Sequence, residues 1–226
     1  MTEEEKIIYN CSDSCLNILD TGRSDPVYTI LDLSRENAVL SDYDITDAGQ
    51  CQAYIDLVLH RNNADLAHGG YMEQRDLYKK SEHFRPGAPP ERDIHLGVDL
   101  WMKAGTAVKA PLEGTIHSFN DNAGFGNYGP AIILEHFVGG QKFYTLYGHL
   151  SRVSLRSVKA GNKISAGTIF TELGNSSENG GYAPHLHFQI ILDLQGYRGD
   201  YPGVCAKQEK HFFKRNCPDP NLLLKI

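Results

Sequence analysis

The sequence has no apolar run approaching the roughly 20 residues that a helix needs to cross a bilayer, so no membrane partner is expected. It also lacks an export signal at its start. MTEEEKIIYN carries three glutamates where such a signal has a basic end followed by about 7–15 apolar residues. Read as the native N-terminus, this predicts a cytoplasmic chain. Cysteine is scarce: five residues (Cys11, Cys15, Cys51, Cys205, Cys217), odd in number and irregularly placed. Cys11 and Cys15 have no second pair to complete a zinc knuckle, and reduced thiols are expected rather than a disulfide framework. Glycine and proline, at 22 and 10 residues, are no more abundant than in ordinary globular chains. With no tandem repeats either, collagen-like, low-complexity and solenoid architectures are excluded. Positive charge is in deficit, 22 Lys/Arg against 28 Asp/Glu, which argues against a nucleic-acid partner.

The deficit is unevenly spread. Residues 1–94 hold 18 acidic and 9 basic side chains, whereas residues 95–226 hold 10 and 13. With 41% apolar residues over 226 positions, the chain can bury a sizeable core. The sequence divides into an acidic helical segment (1–68), a connecting arm (69–94), a β domain (95–205) and a C-terminal tail (206–226). In the first of these, Asp44-Ile-Thr46-Asp47 leads into AGQCQAYIDLVLHRNNA. Thr46 or Asp47 is the expected N-cap, and Ala53, Leu57 and His60 fall near helical spacing. The arm opens on Gly69-Gly70 and closes on Arg85-Pro86-Gly87-Ala88-Pro89-Pro90, a pattern for extended or turn backbone. Tyr71, Glu73 and Arg75 within it are expected mainly to pack the arm down, with a reach into the site as the alternative.

From residue 95 the pattern changes to short runs rich in β-branched and aromatic residues, separated by glycine-bearing turns. Gly139-Gly140 between two such runs signals a hairpin. In HLHFQIILDL, Leu186, Phe188, Ile190 and Leu192 share one face, and His185, His187, Gln189 and Asp193 share the other. The fold class is therefore mainly β, a compact antiparallel sheet with a small helical N-terminal segment.

Three local patterns carry chemistry: His95-Leu-Gly-Val-Asp99, Tyr147-Gly-His149-Leu and Pro184-His185-Leu-His187-Phe. Imidazole and carboxylate together, without thiolate, suit a catalytic rather than a structural zinc site. In a straight strand His95 and Asp99 would stand about 13 Å apart, too far to share one metal. Gly97 between them must therefore bend or bulge the chain. His185 and His187, roughly 7 Å apart on one face, can hold a metal jointly or divide ligation from the handling of water. His149, on the face of Tyr147 and Thr145, is a third imidazole available for the second task.

These patterns, in this order, resemble the lysostaphin-like, LytM-type family of zinc metallopeptidases, with its H-x-x-x-D followed by a distant H-x-H. The runs AGTAVKAPLEGTI, GFGNYGPAIILEH and PHLHFQI match as well, and the resemblance covers about residues 94–193. It implies a compact antiparallel β fold with an open groove and one zinc ion per chain held by His95, Asp99 and His187. It also implies that His149 and His185 act beside the water and the scissile carbonyl. The substrate implied is peptidoglycan-type, cut at glycyl or D-amino-acid peptide bonds. The alternative is a non-peptidase zinc- or ligand-binding module of the same scaffold, acting on a small cytosolic molecule. His60, His68, His83, His117, His136 and His211 lie outside the motifs and are expected to be structural. The Gly-rich Asn122–Gly129 stretch lacks the Lys-Ser/Thr of a phosphate cradle and is expected to turn at the groove rim.

Overall fold

A computed structural model of the chain describes residues 1–76 and 91–226. The expected turn at Arg85–Pro90, together with His83, lies outside the described residues. In chain order the elements are α1 (Glu3–Tyr9), β1 (Tyr28–Ile30), α2 (Ala48–Asn62), β2 (Leu66–Gly69), β3 (Arg92–His95) and β4 (Val98–Trp101). Then follow β5 (Ala107–Lys109), β6 (Gly114–Asn122), β7 (Gly129–Val138), β8 (Gln141–Gly148), β9 (Lys163–Ile164) and β10 (Ile169–Glu172). The chain closes with β11 (His185–Ile191), β12 (Val204–Ala206), α3 (Lys210–Asn216) and α4 (Asn221–Leu224).

The alternating runs assemble into one eight-stranded sheet of order β1-β2-β4-β11-β8-β7-β6-β9, with β10–β5 and β12–β3 as separate antiparallel pairs. The fold is mainly β, as the sequence predicts. Gly139 and Gly140, at φ 58° and 79°, form the two-residue turn between β7 and β8. Positive φ at both positions gives the twist a tight hairpin requires, at no steric cost to glycine.

One pairing departs from the antiparallel expectation: β1 runs parallel to β2, from Tyr28↔Leu66 to Ile30↔His68. A parallel pair needs a crossover, and α2 supplies it. Residues 1–68 thus contribute two strands to the sheet as well as helix. Asp47 is the N-cap of α2, accepting from the Gln50 amide at 2.9 Å. The buried stripe of α2 is Cys51, Tyr54 and Ile55, not Ala53, Leu57 and His60. It packs on Leu31, Leu33, Ala67 and Trp101. Trp101 and Ala67 come from the sheet, so tertiary contact chose which stripe faces inward.

The sheet is buried on both faces. On one, Leu100, Ile132, Leu134, Leu186, Phe188 and Ile190 join the largest core. On the other, Ile133, Leu146 and Ile191 meet Tyr201, Phe213 and Cys217. All seven residues of β11 are consequently buried, including its histidine face. The cover comes from residues after β11. The 206–226 stretch, expected as a tail, forms α3 and α4, and Leu223 and Leu224 are fully buried. No helix among the described residues is long and apolar enough to cross a membrane.

Candidate metal centre

β3 and β4 form one chain path broken by a bend at Gly97. The bend turns His95 and Asp99 toward the same point, as their spacing requires. The need for glycine there is a close approach rather than an unusual φ. A Cβ on residue 97 would lie 2.6 Å from the Phe188 carbonyl oxygen and 2.8 Å from the His187 ring. β11 delivers the third member directly: in the β11–β4 ladder His187 is the register partner of Asp99, and in the β2–β4 ladder so is Gly69.

The donor atoms converge. His95 Nε2 lies 2.8 Å from His187 Nδ1. Asp99 Oδ1 lies 3.3 Å from the first and 3.2 Å from the second. Tetrahedral bonds of about 2.05 Å to one zinc ion place donors roughly 3.3 Å apart, so the set fits a metal. Among the described residues, these three form the group of His, Cys, Asp and Glu side chains able to hold one. All three are buried, at 2% exposure each.

Hydrogen bonds choose the bare nitrogens. His95 Nδ1 sits 3.0 Å from the Gly70 carbonyl oxygen, which can only accept, so Nδ1 carries the proton and Nε2 is free. His187 is turned the other way, with Nε2 at 2.9 Å from Gln189 Oε1. The Gln189 amide nitrogen donates to the Pro202 carbonyl and to Cys217 Sγ, each at 3.2 Å, which fixes its oxygen toward His187. Such outer contacts set tautomer and ring orientation at metal sites.

His149 and His185 lie beside this group with their ring centroids 4.2 Å apart. His149 Nδ1 donates to the Asn179 carbonyl at 2.7 Å, and His185 Nδ1 to the Ala183 carbonyl at 2.7 Å, leaving both Nε2 atoms bare. His149 follows β8 at φ 62°, a conformation uncommon for a residue with a Cβ. His185 stacks on Trp101 with centroids 5.9 Å apart, and Tyr182 stands edge-on to both histidines.

Burial dominates the electrostatics. It pushes His95 down to about 3 and lowers His149 and His185, so these rings are neutral near pH 7. Burial opposes ionisation of Asp99, but His95, Arg75 and His185 outweigh it and hold the carboxyl well below its usual range. Neutral imidazoles beside an ionised carboxylate are the protonation states a divalent cation needs.

The five motif residues therefore meet in one place, lining a cavity of about 350 Å³. The remaining histidines among the described residues do not. His136 is satisfied by the Glu113 carbonyl at 2.8 Å and Thr145 Oγ1 at 2.7 Å, and His117 contacts Ser118 Oγ at 2.8 Å. His60 and His211 are exposed, and His68 lies on β2 beside the Tyr28 ring. Of the arm residues, Tyr71 packs, donating to the Cys217 carbonyl, whereas Arg75 reaches Asp99.

Tyr128 and Gln189 were not singled out from sequence. Tyr128 closes the Gly-rich rim stretch and places its hydroxyl 3.3 Å from His187 Nε2. Gln189 was recognisable only through its place on the same strand face as His185 and His187.

Residues 93–198 match the model of peptidase family M23. The chain is 32% identical over 128 residues to an uncharacterized metalloprotease of Haemophilus influenzae, spanning 54% of this chain and 25% of the relative. It is 39% identical over 102 residues to lysostaphin of Staphylococcus staphylolyticus, spanning 44% and 19%. It is 31% identical over 102 residues to the DD-carboxypeptidase/endopeptidase Mpg of Neisseria meningitidis serogroup B, spanning 45% and 21%. The chain thus spans about a quarter or less of the length of these relatives.

Proposed function

We propose that the chain, whose residues 93–198 match the model of peptidase family M23, is a zinc-dependent endopeptidase of that family. Its substrate is a peptidoglycan-type peptide, cut at glycyl or D-amino-acid bonds. The observation that carries this reading is the convergence of His95 Nε2, His187 Nδ1 and Asp99 Oδ1, each within 3.3 Å of the others, beside two further histidines with bare Nε2 atoms. Lysostaphin and the Neisseria DD-carboxypeptidase/endopeptidase are each similar over 102 residues, which supports the substrate class.

His95, Asp99 and His187 would hold one zinc ion. When bound, zinc supplies Lewis acidity toward a carbonyl oxygen and brings the pKa of water down to about 7. The chain's own groups do the rest. Asp99 presents one carboxylate oxygen and neutralises part of the cation's charge. His149 and His185, neutral in their buried setting, each offer Nε2 to accept a proton from the attacking water. Once protonated, the same nitrogen stabilises negative charge on the carbonyl oxygen or donates to the leaving amine. Asn179 and Ala183 hold the two rings in the tautomer this requires. Tyr128 and Tyr182 pack against the His149 ring.

The test pairs metal content with turnover. The purified chain is expected to hold about one zinc per molecule and to release new amino termini from glycyl-bridged or D-alanyl cross-linked muropeptides. Zinc without cleavage of either peptide class would remove the peptidase assignment and favour the binding-module alternative.

A further inference from the structure

Arg75 lies outside the stretch that matches the family model, yet it is 1% exposed and sits against the metal group. Its Nη1 donates to Asp99 Oδ2 at 2.5 Å, its Nε donates to the Glu73 carboxylate, and its guanidinium carbon stands 5.8 Å from the Trp101 ring centroid. The segment carrying it is stitched to β3. Met72 N donates to the His95 carbonyl, His95 N to the Glu73 carbonyl and Arg75 N to the Asp93 carbonyl, each at 2.9 Å. Within the same segment, the Gly70 carbonyl receives the His95 ring proton.

We propose that Arg75 is a positioning residue of the metal centre, pinning Asp99 so that Oδ1 alone faces His95 and His187. The inference rests on the reading that these three residues hold zinc. A free carboxylate can rotate or offer both oxygens to a cation. With Oδ2 occupied by Nη1, Asp99 is fixed in a one-oxygen presentation, 3.2–3.3 Å from both imidazole donors. The planar fork of arginine suits this task because one edge can hold Glu73 while another nitrogen holds Asp99. The segment that ends in Arg75 thus governs the orientation of two of the three donors: His95 through Gly70 and Asp99 through Arg75.

A buried ion pair that merely held the segment in place would make the opposite prediction. Its loss would lower stability and leave metal affinity unchanged in whatever remains folded.

The experiment measures zinc affinity of the full chain by competition with a chromogenic chelator, for the wild type and for Arg75→Met, Arg75→Gln and Arg75→Lys. Folding of each is checked by near-UV circular dichroism. Arg75→Met and Arg75→Gln are expected to bind zinc roughly 10- to 100-fold more weakly, with Arg75→Lys between them and the wild type. The cobalt(II)-loaded variants are expected to change their visible absorption, which reports coordination geometry. Wild-type zinc affinity and an unchanged cobalt spectrum in any folded Met or Gln variant would overturn the proposal. If neither folds, an unchanged cobalt spectrum in Arg75→Lys would overturn it, since a single ammonium cannot reproduce the fork. Wild-type chain that binds zinc but cuts no peptide would defeat the endopeptidase reading and leave this test intact.

Discussion

His95 Nε2 and His187 Nδ1 face each other at 2.8 Å, and each is the nitrogen left without a proton by its outer partner, Gly70 for the first and Gln189 for the second. Two lone pairs at that distance, both buried, repel unless a shared cation lies between them. Removing metal should therefore destabilise the whole domain. With free zinc 1,000-fold above Kd, binding adds about 4 kcal/mol, or roughly 8–16 °C in Tm for a chain of this size. Thermal unfolding with and without a strong chelator measures this. Equal Tm values would mean that the three donors hold no metal in solution.

Gly97→Ala is expected to abolish tight zinc binding. The added methyl would overlap the Phe188 carbonyl and the His187 ring, and the backbone contact cannot yield without moving β11. The strain should cost about 1–3 kcal/mol of stability and displace the third ligand. Zinc stoichiometry after gel filtration, with a melting curve on the same sample, tests both parts. Full zinc occupancy in Gly97→Ala would contradict the argument.

His185→Ala separates ligation from chemistry. His185 Nε2 is 3.8 Å from Asp99 Oδ1, close enough to act beside the metal without belonging to its donor set. The variant should keep about one zinc per chain and lose roughly 10²- to 10⁴-fold in kcat. His149→Ala should behave alike. Loss of zinc from either variant would place that histidine among the ligands instead.

Deleting residues 1–65 should yield an insoluble or unfolded product, not a more active enzyme. The deletion strips β1 and α2 and uncovers Trp101, Ala67 and their neighbours, which pack on Leu31, Leu33, Cys51, Tyr54 and Ile55. An alternative outcome, soluble protein with increased turnover, would show that the segment shields the groove and contributes little to folding.

The convergence of His95, Asp99 and His187 was legible because spacing leaves few solutions. His95 and Asp99 can meet only across a bend, and Gly97 is the residue that allows one. His185 and His187 share a face by strand periodicity alone. What spacing does not encode is which ring nitrogen points inward. His95 turns Nε2 inward and His187 turns Nδ1 inward, and the difference is set by the Gly70 carbonyl and by Gln189, the first of them far from its ring in sequence. Arg75, 24 residues before its partner Asp99, belongs to the same class of long-range contact. The second buried face of the sheet escaped for a related reason. His185, His187 and Gln189 read as a polar, open face, yet Ile191 on that same face packs with Tyr201, Phe213 and Cys217 from later in the chain, and Gln189 bonds Cys217. Likewise, the stripe of α2 that turns inward was decided by Trp101, which no pattern within the helix announces.

The strand pairings around the centre have a consequence for how a substrate can dock. β4, which carries Asp99, lies between β2 and β11, and β11 lies between β4 and β8. β3, which carries His95, is paired with β12 and bridged on its other side through Gln74↔Ile94. Among the described residues, none of the three strands that carry His95, Asp99 and His187 presents an open edge. A peptide therefore cannot add itself as a further strand beside the metal, the mode by which many extended ligands gain their main-chain hydrogen bonds. On the proposed peptidase reading it would lie across the strand ends, where Tyr128 and Tyr182 line the cavity, and inhibitors built as β-strand mimics would find no ladder there to join.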